Sequence, residues 1–492
     1  MLFEKFRQMR DERGGDAAFL VASGDRSVPI TWRQFTDDIA TISWIIKHHA
    51  PGATIALLGE NSCEWMVVHA ACLFSGAVAL PVDANLSAVE IADRLRFAGA
   101  SVLIHSSLYR DKAREISALM PALATGGFGT RKTDAFIFAA RKAISLSRRT
   151  IWDGPAPDMD RTASIVFTSG TTARPKGVEI SLRAIETFVE STQAALPMQP
   201  GMRSLMLLPL YHIFGIAATY TMLASGVALG VCPDFRRVYA AFERFRVNFA
   251  FLVPAVADIL AAKIAHSGKS AEEAFGWPID WILTGGAPLQ RRTYEKLNAL
   301  GVKTICGYGL TETAACCSMS FSSDEPRVCS AGKVSTAPGV ELKVSDGGEI
   351  LVRGPCLMKG YFKDPEATAK VMDGDGWFHT GDTGTIDRDG YVWLKGRLSR
   401  TIVMSSGKKV APEELEEKIS ALPGVIEVVV SGDGETREIL AEVYASVPDE
   451  SVRRAVAALN KILPVYKRVT KVVVRREPFP RTASGKISLA RR

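Results

Sequence analysis

Residues Thr168 to Val178 read Thr-Ser-Gly-Thr-Thr-Ala-Arg-Pro-Lys-Gly-Val, with hydroxyls at Thr168, Ser169, Thr171 and Thr172, a glycine at Gly170 and an ammonium at Lys176. Hydroxyls and free backbone N–H groups can wrap the oxygens of a polyphosphate, glycine lets the main chain come close, and lysine adds a cation. The order differs from the Walker loop, in which Gly-Lys-Ser/Thr opens a helix. Here Pro175 and Gly177 flank the lysine, so a turn or hairpin is predicted to follow the apolar run Ile165-Val166-Phe167. By itself a Ser/Thr/Gly stretch is more often a mobile surface loop, and only other motifs along the chain can reverse that reading.

The elements that would hold such a loop are those of an α/β protein. Short apolar runs at Thr54–Leu58, Ser101–Ile104, Phe249–Val253 and Trp281–Leu283 alternate with amphipathic stretches at Ala88–Phe97 and Arg291–Leu300. This alternation predicts mainly parallel sheets flanked by helices. Past Val340 the texture changes to short strands broken by Gly347-Gly348, Asp373-Gly374 and Asp389-Gly390, which predicts a small β-rich unit. In the tail, Pro412 starts a predicted helix, Ile426–Val430 and Ile439–Val443 read as strands, and Val452–Leu463 as a helix. Ser204 to Pro233 carries no Asp, Glu, Lys or Arg, a length that would permit a membrane span. Pro209, His212, Gly215, Gly226 and Gly230 interrupt it, so a buried helix with strands is expected instead.

Further motifs follow the loop in order: Leu208-Pro-Leu-Tyr-His-Ile-Phe-Gly215, Val253-Pro-Ala255, Thr284-Gly-Gly-Ala-Pro-Leu289 and Gly307-Tyr-Gly-Leu-Thr-Glu-Thr313. Then come Gly376-Trp-Phe-His-Thr-Gly-Asp382, Gly396-Arg397, Gly407-Lys-Lys-Val-Ala-Pro-Glu-Glu414 and Pro480-Arg-Thr-Ala-Ser-Gly-Lys486. Together these resemble the adenylate-forming (AMP-binding) superfamily of acyl-CoA synthetases, adenylation enzymes and luciferases, over nearly the whole length. The passages Gly59–Trp65, Gly396–Val410 and Phe479–Ile487 look most like bacterial medium- and long-chain fatty acyl-CoA ligases. The resemblance implies a large N-terminal domain of helix-flanked β-sheets over 1–395, with the β-rich subdomain at about 330–395. A small mobile α+β lid domain would cover 396–492.

It also implies roles. The Thr168–Thr172 loop and Lys176 would hold the β- and γ-phosphates of ATP, Thr311 the α-phosphate, and Glu312 a Mg²⁺ ion. Lys486 would swing in with the lid to bridge the acyl carboxylate and the α-phosphate. Asp382 would take the ribose hydroxyls, with Arg397 near ribose and phosphate, Tyr308 stacked on adenine, and Gly286 and Ala287 lining the base. His212 would border the carboxylate end of an acyl pocket lined by Phe214, Val253, Gly309 and Ala314. Gly407 and Lys409 would meet the pantetheine of coenzyme A. Attack of a carboxylate on a phosphate brings two anions together, so cations and oriented dipoles matter more than a nucleophilic side chain.

Composition agrees with a large enzyme: 492 residues, 47% hydrophobic and 23% charged, ample for more than one core. A net charge of +7 suits anionic small molecules or a membrane surface and gives no case for a nucleic acid partner. The eight cysteines lack metal-type spacing and read as reduced thiols, and the charged N-terminus has no apolar signal region. A cytoplasmic location is expected. Residues 134–152 mix Phe136, Ile137 and Ile144 with Arg141, Lys142, Arg148 and Arg149, a basic amphipathic pattern that could rest on anionic lipid at the inner membrane face or pack on its own domain.

Two positions depart from the family pattern: Ala173 stands where the loop usually has glycine, and Arg400 where many members have a hinge aspartate. The sequence therefore reads as an ATP- and Mg²⁺-dependent ligase that makes acyl-CoA from a medium- or long-chain fatty acid through acyl-AMP. Two alternatives stay open: an acyl-AMP ligase loading an acyl carrier protein, and a non-catalytic acyl or nucleotide sensor.

Overall fold

The computed structural model describes residues 1–128, 151–168, 175–319, 330–335, 337–404, 408–432, 438–480 and 487. Its largest sheet has seven strands, in the order Gly360–Tyr361, Gly177–Ser181, Thr162–Phe167, Val78–Val82, Thr54–Leu58, Ala100–Ser106 and Ala124–Phe128. From Thr162–Phe167 to Ala124–Phe128 the pairing is parallel throughout. The strand Thr54–Leu58, the middle one of these five parallel strands, is an unbroken apolar run, buried from Ile55 to Leu58, as a strand covered on both faces must be. Only the edge reverses. Gly177–Ser181 runs antiparallel to Thr162–Phe167, and Gly360–Tyr361 antiparallel to Gly177–Ser181. The predicted hairpin after Phe167 is therefore present, and it stands at the sheet's margin.

The flanking helices carry their own start and stop signals. Trp32–His49 opens with a Thr31–Gln34 capping box, and Ala88–Ala98 opens with Ser87–Glu90 and stops at Gly99 with φ 67°. Two further four-stranded sheets complete the large unit. One orders Arg26–Thr31, Ala17–Ser23, Ala228–Val231 and Arg203–Met206; the other orders Phe249–Leu252, Trp281–Thr284, Lys303–Tyr308 and Ser318–Met319. The uncharged segment 204–233 becomes the strand Arg203–Met206, the helix Ile213–Ala224 and the strand Ala228–Val231, with the helix buried in the core as expected. Among the described residues no helix is long and apolar enough to cross a membrane.

Most of the basic stretch 134–152 lies outside the described residues. Its last residue, Trp152, is buried against Phe3 and Phe74, and its indole N–H donates to the Thr36 carbonyl at 3.2 Å.

The β-rich unit is an antiparallel sheet of Glu341–Val344, Glu349–Arg353, Phe378–Ile386 and Val392–Arg397. Its last strand runs through the expected division between 395 and 396 and ends at Arg397. The tail has a separate core around Val410, Leu415, Ile419, Val430, Ala441 and Val456. There, the helices Pro412–Ser420 and Asp449–Ile462 accompany a three-stranded sheet of Val425–Gly432, Ile439–Ala445 and Lys471–Arg475.

One side chain fixes how the uncharged segment enters the core. Asn61, just past the central strand, donates from Nδ2 to the Leu208 carbonyl at 2.8 Å, and its Oδ1 accepts from the Leu210 N–H at 3.2 Å. Asn61→Ala would leave backbone groups of two buried residues without these partners. The expected result is a loss of about 1–3 kcal/mol in urea unfolding, and an unchanged midpoint would show that the loop is held by other contacts.

Candidate active site

The expected phosphate loop is closed at its base by the Thr168 N–H, which donates to the Lys176 carbonyl at 3.0 Å. Ser169, Gly170, Thr171, Thr172 and the atypical Ala173 lie outside the described residues, as do Gly407 and Lys486. Lys176 is half-buried, with its ammonium 4.4 Å from the centre of the Tyr361 ring. Tyr361 belongs to the two-residue strand that closes the sheet edge. Around it the Lys359 N–H donates to the Glu179 carbonyl at 2.9 Å and the Phe362 N–H to the Gly177 carbonyl at 2.7 Å.

Thr311 and Glu312 occupy a short 3-10 turn, Thr311–Thr313, directly after the strand Lys303–Tyr308. The chain then doubles back through Ala314 at φ 47° and Ala315 at φ 65°, two consecutive non-glycine residues in the left-handed region. Such conformations cost on the order of 1 kcal/mol or more each and persist where surrounding contacts over-determine them. Those contacts are visible: the Ala315 N–H donates to the Leu310 carbonyl at 2.8 Å, and the Cys317 N–H to the Tyr308 carbonyl at 3.1 Å. A Cβ on Gly309 would run into the Ala315 carbonyl. Gly309 is thus glycine because two strands of backbone meet there, and Ala314 is fully buried in the same turn. Their expected place along an acyl pocket gains no support from this geometry.

Glu312 is tied twice to the segment that follows the β-rich turn. Its carbonyl accepts from the Met358 N–H at 2.7 Å, and its Oε1 accepts from the Tyr361 hydroxyl at 2.9 Å. Among the described residues no group of three or more His, Cys, Asp or Glu side chains could cage a metal. A single carboxylate joined through Tyr361 to Lys176 fits the way Mg²⁺ is commonly held, by one or two carboxylates with the remaining ligands from phosphate and water.

On the other side of Tyr308 lies Asp382, buried at 6% exposure. Its Oδ2 accepts from the Tyr308 hydroxyl at 2.7 Å, its Oδ1 meets Arg397 Nε at 2.7 Å, and its backbone N–H donates to Thr380 Oγ1 at 3.0 Å. Sheet register puts Asp382 directly opposite Arg397. Tyr308 is also buried, which pushes its hydroxyl well above the usual phenol range and keeps it a donor.

Strand pairing brings the remaining predicted residues near one another. Thr284 stands opposite Cys306, so the Gly285-Gly286-Ala287 turn lies beside Gly307 and Tyr308. Gly286 is exposed with φ 81° and open space around it, and Ala287 is half-buried. A Cβ on Gly285 would lie 3.0 Å from the Phe214 ring, and the Gly285 N–H donates to the Leu252 carbonyl at 3.2 Å next to Val253. Phe214, Val253 and the glycine turn therefore share one wall. His212 caps the start of the helix Ile213–Ala224 with its ring 4.6 Å from that of Tyr211. Cys316, Cys317 and Cys356 are all buried, and burial pushes their thiols up, away from nucleophilic use.

In the tail, Lys409 is exposed on a two-residue strand paired with Ile402–Val403. Arg400, the unusual cation, pairs with Glu413 at 2.8 Å and Glu416 at 2.6 Å and donates to the Val430 carbonyl at 3.1 Å. Its charge is matched within the tail itself. The sequence reading missed Tyr361: the Gly360-Tyr361 pair has no periodicity or spacing that marks a functional position, and only the strand register reveals what it touches.

The profile of the AMP-binding enzyme family matches residues 6–362, and that of the AMP-binding enzyme C-terminal domain matches residues 399–491. A long-chain-fatty-acid–CoA ligase of Mycobacterium tuberculosis is 30% identical over 453 residues, covering 89% of this chain and 87% of that protein. A feruloyl-CoA synthase of Amycolatopsis sp. is 32% identical over 462 residues, with the same 89% and 87% coverage. The fold is similar to the crystal structure of ATP-bound MatB from Rhodopseudomonas palustris, with a TM-score of 0.83 at 24% identity, over 99% of this chain and 97% of that one.

Gly309→Ala should force the Thr311–Ala315 turn apart. It is expected to destabilise the protein by about 1–3 kcal/mol in thermal unfolding and to weaken ATP binding. A variant that melts and binds ATP like the parent would refute the close-approach argument.

Proposed function

The chain belongs to the AMP-binding enzyme family, and from that premise we propose an ATP-dependent acid–CoA ligase acting on a carboxylic acid with an apolar tail, a medium- or long-chain fatty acid. The observation that carries the proposal is convergence. The Lys176 hairpin, the Glu312 turn and the Asp382–Arg397 pair come from distant parts of the sequence and are joined through Tyr361 and Tyr308.

In the first half-reaction a carboxylate oxygen attacks the α-phosphorus of ATP, the α–β phosphoanhydride bond breaks, and pyrophosphate leaves. In the second, the CoA thiolate attacks the acyl carbon, the acyl–phosphate bond breaks, and AMP leaves. Lys176 and the loop residues Thr168–Thr172 would hold the β- and γ-phosphates, with Thr311 at the α-phosphate. Asp382 would accept from the ribose hydroxyls while Arg397 and Tyr308 hold its carboxylate in place. A Mg²⁺ ion at Glu312, when bound, would offset phosphate charge. The acid arrives already ionised, so no side chain need remove its proton, and His212 would border the carboxylate. Gly286 and Ala287 would line the base. Lys486 would enter with the lid at the first step, and Gly407 and Lys409 would meet the pantetheine at the second.

The tail preference rests on the wall of Phe214, Val253 and the glycine turn, which offers no fixed charge to a substrate. The fatty-acid–CoA ligase relative supports an alkyl tail, while the feruloyl-CoA synthase relative marks aryl acids as the comparison to run. A cytoplasmic location, with contact at the inner membrane face through 134–152, belongs to the same proposal and rests on the sequence of that segment.

Carboxylate-dependent ATP–pyrophosphate exchange tests the reading, with acids of graded chain length and aryl acids, and with CoA and acyl carrier protein in parallel as acceptors. Exchange with fatty acids and formation of acyl-CoA are expected. Acylated carrier without acyl-CoA would reject the acceptor, and no exchange with any acid would reject the enzyme. Lys486→Ala should lower adenylation by about 10²–10³-fold while largely sparing thioester formation from supplied acyl-AMP; equal loss of both would contradict the lid assignment.

A further inference from the structure

The space between Lys176 and Glu312 is filled by one side chain. Tyr361 stands opposite Val178 in an antiparallel pair, and Lys176, two residues before Val178, projects to the same face as Val178. That register puts the ammonium on the tyrosine ring, 4.4 Å from its centre, while the hydroxyl of the same ring donates to Glu312 Oε1 at 2.9 Å. The Tyr361 backbone is itself anchored, its N–H donating to Thr368 Oγ1 at 2.9 Å, and Gly360 packs closely against that same threonine. One tyrosine thus touches both Lys176 and Glu312.

We propose that Tyr361 is a positioning residue that keeps this cation and this carboxylate apart and aimed, so that Lys176 stays available to phosphate and one oxygen of Glu312 to a divalent cation. The inference rests on the ligase reading and goes beyond it by assigning a residue whose two ends do different work. A lysine and a glutamate left facing each other would pair, and a nucleotide would then have to break that pair before it could bind. The ring offers the ammonium a resting place weak enough for phosphate to displace. The hydroxyl occupies one carboxylate oxygen and orients the other, which is how a partner outside the metal's own ligand set tunes metal affinity.

The two ends can be separated by mutation. Tyr361→Phe keeps the ring and removes the hydroxyl; Tyr361→Leu removes both. Binding of a non-hydrolysable ATP analogue to the full chain is measured by calorimetry in EDTA, and Mn²⁺ binding to the protein–analogue complex by the loss of the free Mn²⁺ electron spin resonance signal. Y361F should bind the analogue in EDTA as the parent does while its complex holds Mn²⁺ about tenfold more weakly. Y361L should show that same loss and, with Lys176 free to pair with Glu312, should also bind the analogue in EDTA about two- to fivefold more weakly. A Y361F complex that holds Mn²⁺ like the parent, or weakens only through a lowered melting temperature, would overturn the assignment. A parent protein that binds no nucleotide would sink the ligase reading and the assignment with it, an outcome distinct from a failure confined to Tyr361.

Discussion

The structure turns on a strand of two residues. The hydroxyl- and glycine-rich segment Thr168–Lys176 is held by the backbone on either side of it, the Thr168 N–H donating to the Lys176 carbonyl at 3.0 Å. Here the loop joins two antiparallel strands at the margin of an otherwise parallel sheet, and Gly360–Tyr361 covers the exposed edge of the second strand. The backbone bonds flanking that strand, Lys359 to Glu179 and Phe362 to Gly177, are each worth about 0.5–1.5 kcal/mol net. Their contribution to stability is small. Their geometric effect is large, because they bring the Met358–Tyr361 segment against both the loop's lysine and the Glu312 turn.

The second anchor is a buried carboxylate. Removing Asp382 from water costs several kcal/mol unless its oxygens are satisfied, and Tyr308 and Arg397 satisfy them from two directions. Tyr308 belongs to the sheet that carries the Glu312 turn, and Arg397 ends the last strand before the tail begins. One acidic group thus links the strand that leads into the Glu312 turn to Arg397, where the last strand of the β-rich sheet ends. Arg400, three residues on, is held by Glu413 and Glu416 inside the tail. Between the two anchors lies a short 3-10 turn, Leu398–Arg400, in which Leu398 and Ser399 are exposed.

Much of this was legible in the sequence because much of it is local. The apolar runs at Thr54–Leu58 and Trp281–Leu283, the helix at Ala88–Phe97 and the hairpin implied by Pro175 and Gly177 follow from periodicity and turn chemistry. The tail's helix at Pro412 follows in the same way. What could not be read were contacts set by sheet register across long stretches of chain. Tyr361 at Glu312 is one, and the paired acids that neutralise Arg400 are another. Gly309 illustrates a subtler limit: its place in a motif was visible, but the reason for glycine, a backbone approach to Ala315, is a property of three dimensions.

The most direct test is a crystal structure of the protein with ATP and Mg²⁺. The account predicts the triphosphate between Lys176 and Glu312, with the Glu312 carboxylate still bonded to the Tyr361 hydroxyl and the ribose hydroxyls on Asp382. A nucleotide seated away from the Thr168–Val178 hairpin, or a Glu312 turned from the phosphates, would contradict it.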